Sequence, residues 1–196
     1  MFTSSFEKEK FGNIIIFFLL RTKDCGITKI NKLLYFADFL SFRQIGKPLT
    51  GNTYEAWDFG PVPQPFYNDF RNIDPSDVPE YLSEFVTRDL KHITEEKDFN
   101  EFVVKKKFDS EYFSQQELDI LKFVAKKFEN TDPDEIVDLA HKTIPFKNAE
   151  KRGRNSQIDY LDSINNDNII FNGKSLSKEE LVECIKDLEF LNHVFS

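Results

Sequence analysis

The stretch Ile30-Asn31-Lys32-Leu33-Leu34-Tyr35-Phe36-Ala37-Asp38-Phe39-Leu40-Ser41-Phe42 decides how this chain folds. Ile30, Leu33, Leu34, Ala37 and Leu40 recur at three- and four-residue steps, the spacing of one helical face. Tyr35, Phe36, Phe39 and Phe42 fall on the other sides, so the helix is apolar nearly all round. Such a helix either lies at the centre of a domain or offers its aromatic rings to a partner. Thr28 is a suitable N-cap and Gly46 a suitable stop.

Before it, Phe11, Ile14, Ile15, Phe18 and Leu19 predict a helix from about Ser5 to Thr22, with Gly26 available as a left-handed cap. After it, Pro48, Gly51, Gly60, Pro61, Pro63 and Pro65 punctuate a hairpin or turn region that holds Tyr54, Ala56 and Trp57. Phe66 and Phe70 restart a helix at the i, i+4 spacing. Asn72 to Asn100 reads as a peripheral insertion. Phe102 to Phe108 is a candidate strand, a partner for Tyr54 to Trp57, with Lys105, Lys106 and Lys107 as charges that protect a sheet edge. Ser114 with Glu117, Asp132 with Pro133 and Glu135, and Ser177 with Glu180 mark three more helix starts. The fold expected is mainly α, a compact helical domain with a small antiparallel β element.

A length of 196 residues suits one domain with an appendage. Forty per cent hydrophobic residues and 22 Phe exclude a disordered chain. The net charge of −8 disfavours general nucleic-acid coating, because attraction to phosphate needs the opposite sign. Cys25 and Cys184 are too few for a secreted disulfide framework, so a reducing cytoplasm is expected. The longest apolar run, Ile14 to Leu20, falls far short of the roughly 20 residues of a membrane span.

Catalytic signatures are missing: there is no phosphate loop, dinucleotide fingerprint, zinc His pair or nucleophile elbow. His92, His141 and His193 lack a ligand at short spacing, so neither a metal nor a cofactor is expected. His141, four residues before Pro145, suits capping a helix end or bonding a core polar group. The first two helices imitate a helix-turn-helix carrying Lys29, Lys32 and Arg43, but the second is too apolar to read bases. Lys147, Lys151, Arg152 and Arg154 form one compact basic patch.

Lys32-Leu33-Leu34-Tyr35-Phe36-Ala37, Gly46-Lys47-Pro48-Leu49 and Tyr54-Glu55-Ala56-Trp57-Asp58-Phe59-Gly60-Pro61-Val62 together resemble the signature of the Panacea domain, the SocA-like antitoxin family. Leu139-Ala140-His141-Lys142-Thr143-Ile144-Pro145-Phe146-Lys147 is similar to its C-terminal motif, with Ala140 where a threonine is usual and Phe146 in place of a tryptophan. The resemblance implies a bacterial or prophage antitoxin that binds and neutralises a cognate protein toxin encoded nearby; some members act as adaptors that deliver the toxin to a protease. On this reading residues 1–155 form the antitoxin domain, with its insertion at 72–100, and residues 156–196 a strand-turn-helix extension. Tyr35, Phe39, Tyr54 and Trp57 are the expected aromatic contacts, with Arg43 beside them, although Trp57 suits the core equally well. Leu33, Leu34, Ala37, Gly60, Pro61, His141 and Pro145 are structural members of the motif. No enzyme activity, no membrane and no nucleic acid are expected. The alternative is a DNA-binding autoregulator of its own operon; a more distant one is an enzyme using His141.

Overall fold

The computed structural model describes residue 2 and residues 4–94 and 97–164. In chain order the elements are α1 (Ser5–Leu19), α2 (Ile27–Ile45), β1 (Thr53–Trp57), β2 (Gly60–Gln64), α3 (Phe66–Arg71), β3 (Val86–Thr94), β4 (Lys97–Val104), α4 (Gln115–Lys127), α5 (Pro133–His141), α6 (Ile144–Arg152) and β5 (Gln157–Ile158). The fold is mainly helical, with one three-stranded and one two-stranded antiparallel sheet among the described residues. No described helix is long and apolar enough to cross a membrane.

α2 is the central helix. Every residue from Lys29 to Arg43 is buried, under α4, α5 and the β1–β2 hairpin. Leu33, Leu34, Tyr35, Phe36, Ala37 and Phe39 are each at most 1% exposed, and full burial of a leucine- or phenylalanine-sized side chain stabilises by about 1.5–3 kcal/mol. Phe36 stacks on Phe128 at 4.6 Å, and Phe39 stacks on Tyr160 at 4.4 Å, so rings tie α2 to two segments of the C-terminal half of the chain. Of the two roles open to an all-apolar helix, α2 has the enclosed one. That burial also removes α2 as a recognition helix.

The helix starts follow local chemistry. Ser4 Oγ accepts from the Glu7 N–H to begin α1. Ser114 and Glu117 form the expected capping box of α4, and Asp132 with Pro133 opens α5. Gly46 ends α2 at φ 76°. Two expectations move: α1 stops at Leu19, and Gly26, at φ −80°, is the N-cap of α2, so Thr28 lies inside the helix.

The strand pairing differs more. β1 lies between β2 and β5, with Tyr54 opposite Pro63 and Ile158. The strand expected near Phe102 pairs antiparallel with β3, Val86 facing Val104, so its neighbour is the strand that precedes it in sequence and not β1. Lys105 to Lys107 therefore follow the strand, where Lys105 Nζ donates to the Ser83 carbonyl and Lys106 pairs with Glu9 at 2.8 Å. Nor is the stretch 72–100 wholly peripheral, since Leu82, Phe85 and Val86 are fully buried in the core. The strand-turn-helix expected for Ile169 to Ser196, with its Ser177–Glu180 start, lies outside the described residues.

α1 meets Phe85 at Gly12, where an added Cβ would come within 2.5 Å of the ring. Alanine in a helix interior is ordinarily better than glycine by about 1 kcal/mol, whereas overpacking a rigid core costs about 1–3 kcal/mol. With Phe85 fully buried, the clash dominates. Gly12→Ala is expected to lower stability by about 1–2 kcal/mol in urea unfolding; a gain would show that the Phe85 ring can move aside.

Candidate functional site

Enclosing α2 leads most of its polar side chains to partners inside, drawn from the β1–β2 hairpin, the loop before it and the link between α5 and α6, while the buried Asn31 Oδ1 is left without one. Lys32 Nζ donates to the Pro61 carbonyl at 2.8 Å. Its side chain is 1% exposed, and burial pushes its amine down to about 7. Thr143 Oγ1 donates to the Ala140 carbonyl at 2.7 Å, which leaves its lone pair to accept the Tyr35 hydroxyl, also at 2.7 Å. Asp38 accepts from the Thr50 N–H and the Tyr54 hydroxyl, each at 2.7 Å, and from Thr50 Oγ1. Burial raises its carboxyl to about 6 against the pull of these donors.

The tip of the β1–β2 hairpin closes over this interior. Gly60 takes φ +87°, and a Cβ there would lie 3.0 Å from Lys32 Cε and 3.2 Å from His141 Nε2. Only glycine fits both the backbone and the space. His141 ends α5 and stacks on Phe146 of α6 at 4.7 Å. Its buried Nε2 has no hydrogen-bond partner, so this nitrogen makes no core polar bond. Burial, and then the charge of Lys32, hold the imidazole below its ordinary value, with Glu150 and Asp138 pulling the other way.

The expected contact residues divide. Tyr35, Phe39 and Tyr54 are at most 1% exposed and pack ring to ring, Tyr35 to Phe39 at 4.4 Å and each to Tyr54 at 5.6 Å. Arg43 is buried near the end of α2. These four cannot meet a partner in this conformation; an aromatic-rich helix buries its rings when enough chain is present to cover it. Trp57 is half-buried, held by its Nε1–H to Glu55 Oε2 at 2.8 Å and by the Tyr67 ring at 5.5 Å. Phe59, two residues on, is 71% exposed. Its place in the turn before Gly60 is the signal that could have singled it out.

Leu33, Leu34 and Ala37 are core residues, and Pro61 is buried beside Gly60. Pro145 stands buried in the first turn of α6. In the basic patch, Arg152 bonds Asp162 and the Gln157 carbonyl, and Arg154 pairs with Asp58.

Three separated segments of sequence thus meet around one buried helix. The family model for the antitoxin SocA-like, Panacea domain matches residues 30–147. The chain belongs to this family. Neither the curated proteins nor the solved structures give a significant match. Membership places the protein among antitoxin-like domains, and the Panacea match spans every inner contact named above from Lys32 to Thr143. Within the domain, Ala140 is fully buried and offers only its carbonyl, while Thr143 supplies a hydroxyl three residues later. Phe146 keeps an aromatic surface for His141.

Thr143→Val removes the acceptor of the buried Tyr35 O–H and is expected to cost about 1–3 kcal/mol, with Tyr35→Phe in the same chain recovering part of it. Additive losses in urea unfolding would disprove the coupling. For Lys32 the unfolded amine titrates near 10.5 and the folded one near 7, so the unfolded state binds more protons between these values. Its contribution to stability therefore rises with pH from about 7 upward. The rise should show up to about pH 9, where the unfolded Cys25 thiol begins to ionise while the buried one holds its proton to about 11. Lys32→Met should remove this slope; an unchanged slope would assign it to another group.

Proposed function

We propose that this Panacea domain neutralises a cognate protein toxin by direct contact, and that the tip of the β1–β2 hairpin is part of the contact. The observation that carries the surface is the exposure of Phe59 next to an immobilised Trp57, on a turn that Lys32, Gly60 and Pro61 hold rigid. A rigid aromatic tip supplies buried area at little entropic cost, and the surrounding charge supplies partner choice. The net charge of −8 complements a toxin with a basic active site, so seating the domain there would occlude it. Delivery of the bound toxin to a protease is compatible with the same contact and separates from simple occlusion by the toxin's half-life in cells.

Co-expression with the toxin encoded beside it is expected to restore growth, and the two proteins to co-purify. Trp57→Ala with Phe59→Ala should weaken the complex by about 30-fold, the equivalent of roughly 2 kcal/mol for truncated central aromatics. Thermal melting of the free variant establishes that it folds. Full rescue and unchanged affinity in the folded double variant would move the contact elsewhere.

A further inference from the structure

We propose that the cleft beside the hairpin tip is a receptor for one guanidinium side chain of the partner protein, an inference that rests on the antitoxin reading. The cleft, of about 300 Å³, is lined by Trp57, Asp58, His141, Phe146, Glu150 and Arg154 among others. Its chemistry is that of an aromatic box with an acidic rim. Trp57 supplies a ring whose orientation is fixed from two directions, by Glu55 and by Tyr67, and the stacked rings of His141 and Phe146 form further aromatic wall. A cation within about 6 Å of such a ring face is attracted to it, and a planar guanidinium also stacks, which an ammonium cannot do.

The charges select the same ligand. Asp58 and Glu150 both contribute to the lining and are exposed. Burial and the nearby Lys32 hold His141 below its ordinary value, which disfavours its charged form. Lys32 lies behind the hairpin with its amine turned to the Pro61 carbonyl. Arg154 is the cation of the lining, paired with Asp58 while their side chains stay 76% and 61% exposed. An ion pair that open to water contributes little, so an incoming arginine can take Asp58 from it. Arg154 thus shows that the acidic side of the cleft accepts a guanidinium, and Phe59 at the adjacent tip gives the partner an apolar contact outside the box.

Trp57 is the chain's one tryptophan, so its fluorescence reports on this cleft directly. The probe is N-acetyl-arginine amide, with N-acetyl-citrulline amide as its uncharged counterpart, titrated into the full chain. Saturable change with arginine and none with citrulline is expected. Asp58→Asn with Glu150→Gln should weaken arginine binding about fivefold or more, while Arg154→Gln, which removes the internal competitor, should strengthen it. Glu80→Gln with Glu111→Gln changes the net charge equally at exposed positions outside the cleft lining and should leave the titration as it is. Absence of saturation, an equal response to citrulline, or equal weakening by the two double variants would overturn the proposal. The titration needs no toxin, so its failure is distinct from a failure of neutralisation by the unaltered domain. Where neutralisation holds, loss of toxin affinity on Asp58→Asn with Glu150→Gln supports the assignment to the partner, and unchanged affinity overturns it.

Discussion

The constraint on which the structure rests is the enclosure of α2 from Lys29 to Arg43. A helix buried on all sides gains the hydrophobic contribution of every turn, but any polar group it carries must be met from within. α2 carries several. Lys29 reaches the Lys23 and Thr131 carbonyls, Lys32 the Pro61 carbonyl, Tyr35 the Thr143 hydroxyl, Asp38 the Thr50 and Tyr54 donors, and Ser41 the Lys47 carbonyl. Each bond ties one surrounding segment to a fixed height and azimuth on the helix. An apolar interface alone would allow α2 to rotate or slide at modest cost; these bonds give it one register.

This explains why the family signature is discontinuous in sequence. The Lys32 to Ala37 block, the Tyr54 to Val62 block and the Ala140 to Phe146 block are the two ends of the same contacts. The helix itself was legible because periodicity reports burial directly: Leu33, Leu34 and Ala37 are core as their spacing required. Capping chemistry is equally local, and so Ser114, Asp132 and Gly46 stand where their residue types placed them. Long-range pairing has no such local record. The Phe102 strand pairs with β3, and nothing in Val103 or Val104 encodes that partner.

The division of the aromatic residues has the same origin. Sequence counts rings but does not say which are covered, and Tyr35, Phe39 and Tyr54 were indistinguishable from Trp57 on that basis. Hydroxyl chemistry separates the two tyrosines: Tyr35 and Tyr54 each have a buried partner that fixes the ring inward, in Thr143 and Asp38, while Phe39 is held by the rings of Tyr35, Tyr54 and Tyr160. Asp38, in the middle of an apolar run, was the visible sign that a donor from elsewhere had to converge there. Phe59 has no such tie and sits in the two-residue link between β1 and β2, where its side chain is exposed.

The same enclosure confines variation in partner to the rim. Inside, Gly60 cannot gain a Cβ without meeting Lys32 and His141, and Lys32 cannot lose its amine without stranding the Pro61 carbonyl. Changes there act on the stability of the whole domain. Trp57, Asp58, Phe59, Glu150 and Arg154 differ from these because water reaches them, so their replacement disturbs no buried polar group. A domain built this way can keep one interior and alter its partner by changing a few rim side chains, with the hairpin backbone held in place throughout. Rigidity and adaptability therefore come from a single cause, the strict separation of side chains that satisfy α2 from those that face outward at its lid.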